Sequence, residues 1–213
     1  MKLLELMRKH QTDKAKHRFD VPFSFFFDEH RRHQVRSVLE LGVKKGASLR
    51  LWEEYFPQAT IYGVDISHKA AINVSERTRI FIGGQSDLTL LAQVSAAAAS
   101  GFDLIVDDGS HMADDQVASL TYLWPFLSHP YGIYAIEDLH AHVKYPDRFG
   151  NQACRYPPMS EMLLRLIESR FAAGRCASES PGICAYGGIA LLLKGEQGPV
   201  LDFDPFLKVE QAP

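Results

Sequence analysis

From residue 37 onward, short runs rich in β-branched and aromatic residues alternate with segments long enough to be helices. Strands are predicted over residues 37–41, 60–66, 79–82, 102–107 and 132–137, and helices over 47–55, 87–99, 113–127 and 160–173. Strand, helix and strand in repeated succession require right-handed crossovers, hence a parallel sheet with helices on both faces. Two further runs, 183–186 and 189–194, are separated only by Gly187-Gly188, which is too short for a crossover and predicts an antiparallel hairpin. The expected class is α/β, doubly wound and mostly parallel, with an antiparallel C-terminal hairpin.

Ahead of the first strand, residues 1–9 read as a short amphipathic helix, interrupted by charge too early to be a signal peptide. Residues 22–32 carry Phe23, Phe25, Phe26 and Phe27, a density that suits core packing of an N-terminal helix, although such a helix can also wall a pocket. The predicted division is a helical cap over 1–34, the main α/β domain over 35–195 and a tail over 196–213, all within one globular unit. The Ser178-Glu179-Ser180-Pro181-Gly182 segment reads as a loop.

Composition narrows the class of partner. The chain has 213 residues, 46% of them hydrophobic and 23% charged, which suits one ordinary globular domain. A formal net charge of -3 with no sustained basic block argues against nucleic acid or a membrane surface as a partner. His30-Arg31-Arg32-His33, the one local exception, reads as a solvated helix end. No apolar run approaches the roughly eighteen residues of a membrane span, so a cytoplasmic location is expected. Cys154, Cys176 and Cys184 are odd in number and lack C-x-x-C spacing, which indicates neither a disulfide framework nor a zinc knuckle.

In an open parallel sheet, ligands bind beyond the carboxyl ends of the strands. The first strand runs into Glu40-Leu41-Gly42-Val43-Lys44-Lys45-Gly46, where Gly42 and Gly46 form a tight turn into a helix. The carboxylate of Glu40 suits a ligand with an ammonium group better than a pyrophosphate. About twenty residues on, Asp65 ends the second strand, where such folds hold the two hydroxyls of a ribose; helix capping is the alternative. Ser86 and Asp87 follow the third strand and could read an adenine edge or start a helix. Asp107, at the end of the fourth strand, is counted with the cofactor.

The fourth strand continues into Asp107-Asp108-Gly109-Ser110-His111 and the fifth into Glu137-Asp138. If these strands are neighbours, four carboxylates and one imidazole converge. Like charges that close are disfavoured unless a cation sits among them, and oxygen donors favour a hard ion: Mg²⁺ first, with Mn²⁺ or Ca²⁺ as alternatives. Carboxylates capping helices and facing water are the other reading. His111 lies close enough to such an ion to act on something bound to it. His140 and His142 either line the pocket or sit on the surface.

These residues together resemble class I S-adenosylmethionine-dependent methyltransferases, and imply their Rossmann-like sheet. More narrowly, Asp107-Asp108-Gly109-Ser110-His111, followed by residues 132–139, is similar to the metal-dependent sugar O-methyltransferases of macrolide biosynthesis, the mycinamicin and tylosin type. Thr12-Asp13-Lys14 with His17, and residues 48–57, are similar to the same group. The resemblance implies metal ligation by Asp108, Glu137 and Asp138, and a general base at His111. It implies that Glu40 meets the methionine moiety and Asp65 the ribose. The implied activity is Mg²⁺-dependent O-methylation of a small, glycosylated or diol-bearing acceptor, with a homo-oligomer open. The segment His140-Ala141-His142 stands where the group tends to have Thr-Ser. A short-chain dehydrogenase, which shares the sheet, would need Tyr-x-x-x-Lys, and no tyrosine here has a lysine four residues on. The remaining alternatives are a catalytically silent binding protein of the same fold, or N-methylation or hydroxylation on it.

Overall fold

The computed structural model describes residues 2–71, 75–128, 130–149, 154–173 and 182–194. Cys176, nearly all of the predicted 178–182 loop and the 196–213 tail lie outside the described residues. Helices α1 (Leu3–Lys9) and α2 (Asp20–Phe26) precede β1 (Ser37–Leu41), α3 (Ala47–Tyr55), β2 (Thr60–Asp65) and β3 (Thr78–Ile82). Then follow α4 (Leu88–Ala97), β4 (Leu104–Asp107), α5 (Ala113–Leu123), β5 (Ile133–Ile136), the short α6 (Ala141–Lys144) and α7 (Pro146–Phe149), α8 (Met159–Ala173), β6 (Gly182–Tyr186) and β7 (Ile189–Leu193).

The seven strands form one sheet in the order β3-β2-β1-β4-β5-β7-β6. The first five are parallel, whereas β7 runs antiparallel to both β5 and β6. Each central strand feeds two cores by its period of two. Val38, Leu104, Val106, Ile133, Ala135 and Leu191 point to the side covered by α1, α2 and α3. Leu39, Leu41, Ile105, Tyr134, Ile136 and Leu192 point to the side covered by α4, α5 and α8. Burial on both faces explains why these strands read as continuous apolar runs.

The N-terminal segment packs as a cap on the first of these cores. Leu3, Leu6, Met7, Phe19, Phe23 and Phe27 are buried there, and Phe23 meets Trp52 edge to face. The phenylalanine-rich stretch is thus mainly core, although Phe25 stands exposed. The helix predicted over 22–32 ends instead at Phe26. Asp28 Oδ1 then accepts the backbone N–H of Arg31 and starts a separate single turn over Arg31–His33. Among the described residues no helix is long and apolar enough to cross a membrane.

Candidate active site

The chain leaves β1 toward β2 on one side, and β4 lies on the other, so the strand order reverses between β1 and β4. The ladder runs one rung past the named strands at this point. Gly42 N–H donates to Val64 O, Asp108 N–H to Leu41 O and Glu137 N–H to Asp107 O, all at 2.8–2.9 Å. Gly42, Asp108 and Glu137 therefore stand level at the carboxyl edge. A Cβ at Gly42, whose φ is +87°, would lie 2.1 Å from the Asp108 carbonyl oxygen, so only glycine lets the two turns approach.

A cleft of about 1020 Å³ opens over this edge. Gly42, Asp65, Ser86, Asp108, His111 and Asp138 line it. Glu40, Asp107 and Glu137 are buried beneath it, Gly46 is the N-cap of α3, and Asp87 caps α4 through Thr89 N–H and Leu90 N–H. Asp65 binds the glycine turn itself: Oδ2 accepts from Val43 N–H (2.8 Å) and Lys44 N–H (2.7 Å), and Oδ1 from Ser67 N–H (2.7 Å).

Beneath the cleft a lysine joins the carboxylates. Lys14, only 1% exposed, donates to Glu137 Oε2 (2.7 Å) and Asp108 Oδ2 (3.0 Å), and lies 3.2 Å from Glu40 Oε1. Burial works against its ammonium, but the three carboxylates outweigh it and hold Lys14 well above the ordinary lysine range. Burial pushes Glu137 well above the usual carboxylate range and Glu40 upward, against the pull of Lys14. One ammonium thus faces Glu40, Asp108, Glu137 and the nearby Asp138, leaving a formal deficit of positive charge.

The residues fit a divalent ion. Lys14 occupies one oxygen of Asp108 and one of Glu137, while Glu137 Oε1 is buried with no hydrogen-bond partner among the described residues. Ligand atoms of Asp108, His111 and Asp138 lie within 4.8 Å of one another. Glu137 sits deeper and falls outside that spacing. His111 Nε2 is 4.0 Å from Asp108 Oδ1 and 3.8 Å from Asp138 Oδ2, and its buried Nδ1 has no hydrogen-bond partner among the described residues. His111 (φ +60°) and Asp138 (φ +53°) are both left-handed, a strain of about 1–3 kcal/mol each that concentrates at functional sites.

Sequence reasoning passed over two bracing roles. Lys14 was visible only as part of a short motif. Gln85, just before Ser86, turns inward: its Nε2 donates to Asp107 Oδ1 (3.1 Å) and its Oε1 accepts from Ser110 N–H (2.6 Å). Gln85 thereby fixes the loop that carries Asp108 and His111. Asp107 also accepts from the Ser119 and Tyr134 hydroxyls, each at 3.3 Å.

Burial pushes the Asp107 carboxyl up to about 6, although Gln85, Gly109 N–H, His111 and Tyr134 pull the other way. A folded-state value above the unfolded one means that the native state holds this proton more tightly, so Asp107 costs stability as pH rises from 4 to 7. The rise to about 6 amounts to about 3 kcal/mol. Asp107→Asn removes that dependence. Urea titrations should show its stability rising relative to the native chain by about this amount between pH 4 and pH 7. A pH-independent difference would refute the raised value.

No protein-family model matches the chain. Curated relatives do. The mycinamicin VI 2''-O-methyltransferase of Micromonospora griseorubida is 36% identical over 160 residues, covering 71% of this chain and 39% of that protein. The demethylmacrocin O-methyltransferase of Streptomyces fradiae is 36% identical over 146 residues, covering 64% and 36%. The chain thus spans about two fifths of the length of these relatives. Among solved structures, the MycE methyltransferase of the mycinamycin biosynthetic pathway, in complex with Mg and SAH, superposes with a TM-score of 0.75 at 31% identity, covering 92% of this chain and 55% of that one. Its complex with Mg, SAH and mycinamycin VI gives a TM-score of 0.73. The chain is a homologue of the macrolide sugar O-methyltransferases, and its sheet is that of the class I methyltransferases.

Proposed function

We propose that the chain transfers the methyl group of S-adenosylmethionine to a hydroxyl of a small, sugar-bearing or diol-bearing acceptor, with the help of Mg²⁺. The observation that carries this is the meeting of Asp108, His111 and Asp138 on the wall of the cleft that also holds the glycine turn and Asp65. In this reading residues 35–195 are the methyltransferase domain, with 1–34 as its cap and 196–213 as its tail. Glu40, Gly42, Gly46 and Asp65 serve the cofactor side, with Ser86, Asp87 and Asp107 more distant contributors. Asp108, Glu137 and Asp138 hold the ion.

A bound Mg²⁺ would lower the pKa of an acceptor hydroxyl. His111 takes that proton on its imidazole as the oxygen attacks the methyl carbon and the carbon–sulfur bond breaks, releasing S-adenosylhomocysteine. Asp65 contributes by holding the Val43–Lys44 backbone, which fixes the turn against which the cofactor would be aligned. Lys14 orients Asp108 and Glu137 by donating to one oxygen of each.

Calorimetry should show binding of S-adenosylmethionine and S-adenosylhomocysteine but not of NAD. Excess EDTA should abolish methyl transfer to a glycosylated macrolide acceptor while leaving cofactor binding largely intact, because the cofactor's anchors lie elsewhere. Binding of NAD alone, or full activity in EDTA, would refute the reading.

A further inference from the structure

A second group of candidate ligands lies beside the first and shares only Asp138 with it. His17, His140 and Asp138 each offer an atom within 4.8 Å of the other two, and all three are half-buried. His17 comes from the turn just beyond Lys14, and the other two from the loop after β5. The imidazoles stand 5.7 Å apart, tilted by 44°. Both rings are seated: His17 stacks on the buried Phe19 at 5.3 Å, and His140 packs against the β6–β7 turn. A Cβ at Gly188 would come within 2.4 Å of His140 Nδ1, so a glycine there is what leaves room for the ring. Among the described residues neither imidazole forms a hydrogen bond or an ion pair with anything outside this group.

We infer that His17, Asp138 and His140 bind a divalent transition-metal ion of the Co²⁺ or Zn²⁺ kind, next to the Asp108 side of the cleft. The donor set decides the class. Two imidazoles and one carboxylate favour borderline ions over Mg²⁺, whereas the neighbouring carboxylates favour Mg²⁺. A carboxylate has two oxygens, so Asp138 can serve both groups. Ligand atoms on one ion at about 2.1 Å lie roughly 3–4 Å apart, so binding draws the three side chains inward by about 1 Å, within the range of a χ rotation. The inference needs no methyl donor and goes beyond the proposed methyl transfer.

The test is a Co²⁺ titration of the full chain in saturating Mg²⁺ with no cofactor present, followed by visible absorption and equilibrium dialysis. One equivalent of Co²⁺ should bind in competition with the excess Mg²⁺. Changes around a metal's ligands alone cost about 10–100-fold in affinity, so His17→Ala and His140→Ala should each weaken Co²⁺ by at least about tenfold. His111→Ala and His142→Ala should not. The site is refuted if no Co²⁺ binds, or if His17→Ala and His140→Ala leave binding unchanged. It is also refuted if His111→Ala or His142→Ala weakens binding as much. Failure here leaves methyl transfer untouched, and failure to bind S-adenosylmethionine leaves this site untouched.

Discussion

Lys14→Met is expected to destabilise the protein by about 3–5 kcal/mol at pH 7, the cost of removing one partner from a buried ion pair. Methionine keeps most of the volume, so the loss isolates the charge. Without the ammonium, Glu40, Asp108 and Glu137 face one another with no cation between them, and the folded-state pKa values of Glu40 and Glu137, already raised by burial, rise further. An acid raised in the folded state costs stability above its unfolded value, and the cost fades once both states are protonated. The deficit of the variant should therefore shrink as pH falls from 7 toward 4. Added Mg²⁺ should restore part of it if these carboxylates hold the ion. Urea denaturation at several pH values, with and without Mg²⁺, measures both effects. An unchanged midpoint at pH 7 would mean that Lys14 is not the counter-ion of this cluster.

His111→Ala should lower kcat by about 10²–10⁴-fold, the usual contribution of a histidine general base, while sparing affinity for S-adenosylmethionine. That range is about 2.7–5.5 kcal/mol of barrier. The side chain lies against Phe149 and close to two carboxylates, so removing it leaves the sheet intact. Mg²⁺ affinity, measured separately, distinguishes roles. A base leaves it nearly unchanged, whereas a ligand takes it down together with kcat. Near-native kcat in His111→Ala would move the base elsewhere, with His140 and His142 next to be tested.

The sheet was legible because burial on both faces imposes continuous apolar runs, and because the turn chemistry between them is strong. The strand over 37–41 and the helix over 47–55 have the same limits in sequence and structure, bounded by the glycine turn at Gly42 and Gly46 and by Pro57 just beyond the helix. Gly187-Gly188 announced the hairpin by its shortness alone. Helices α6 and α7 were not legible, since four residues carry no periodicity. The role of Lys14 was hidden for a related reason: it sits in a single helical turn, and its destination depends on how α1 and α2 dock on α3. Asp65 was assigned to a ligand on its position, while its three backbone hydrogen bonds belong to tertiary geometry that no spacing reveals. The inward turn of Gln85 is of the same kind.

The position of β7 within the sheet bears on how the chain folds as it leaves the ribosome. β7 is drawn from about fifty residues beyond β5, yet it fills the place beside β5, while β6, made before it, is carried to the outer edge. Until residues 189–193 have emerged, β5 presents the unpaired backbone of a fully buried, apolar strand. A chain in that state offers a template for pairing with another copy of itself. The strands around Glu40 and Asp65 can close on local crossovers, whereas the β5 side of the site, with Glu137 and Asp138, gains its second neighbour only when the last strand pairs.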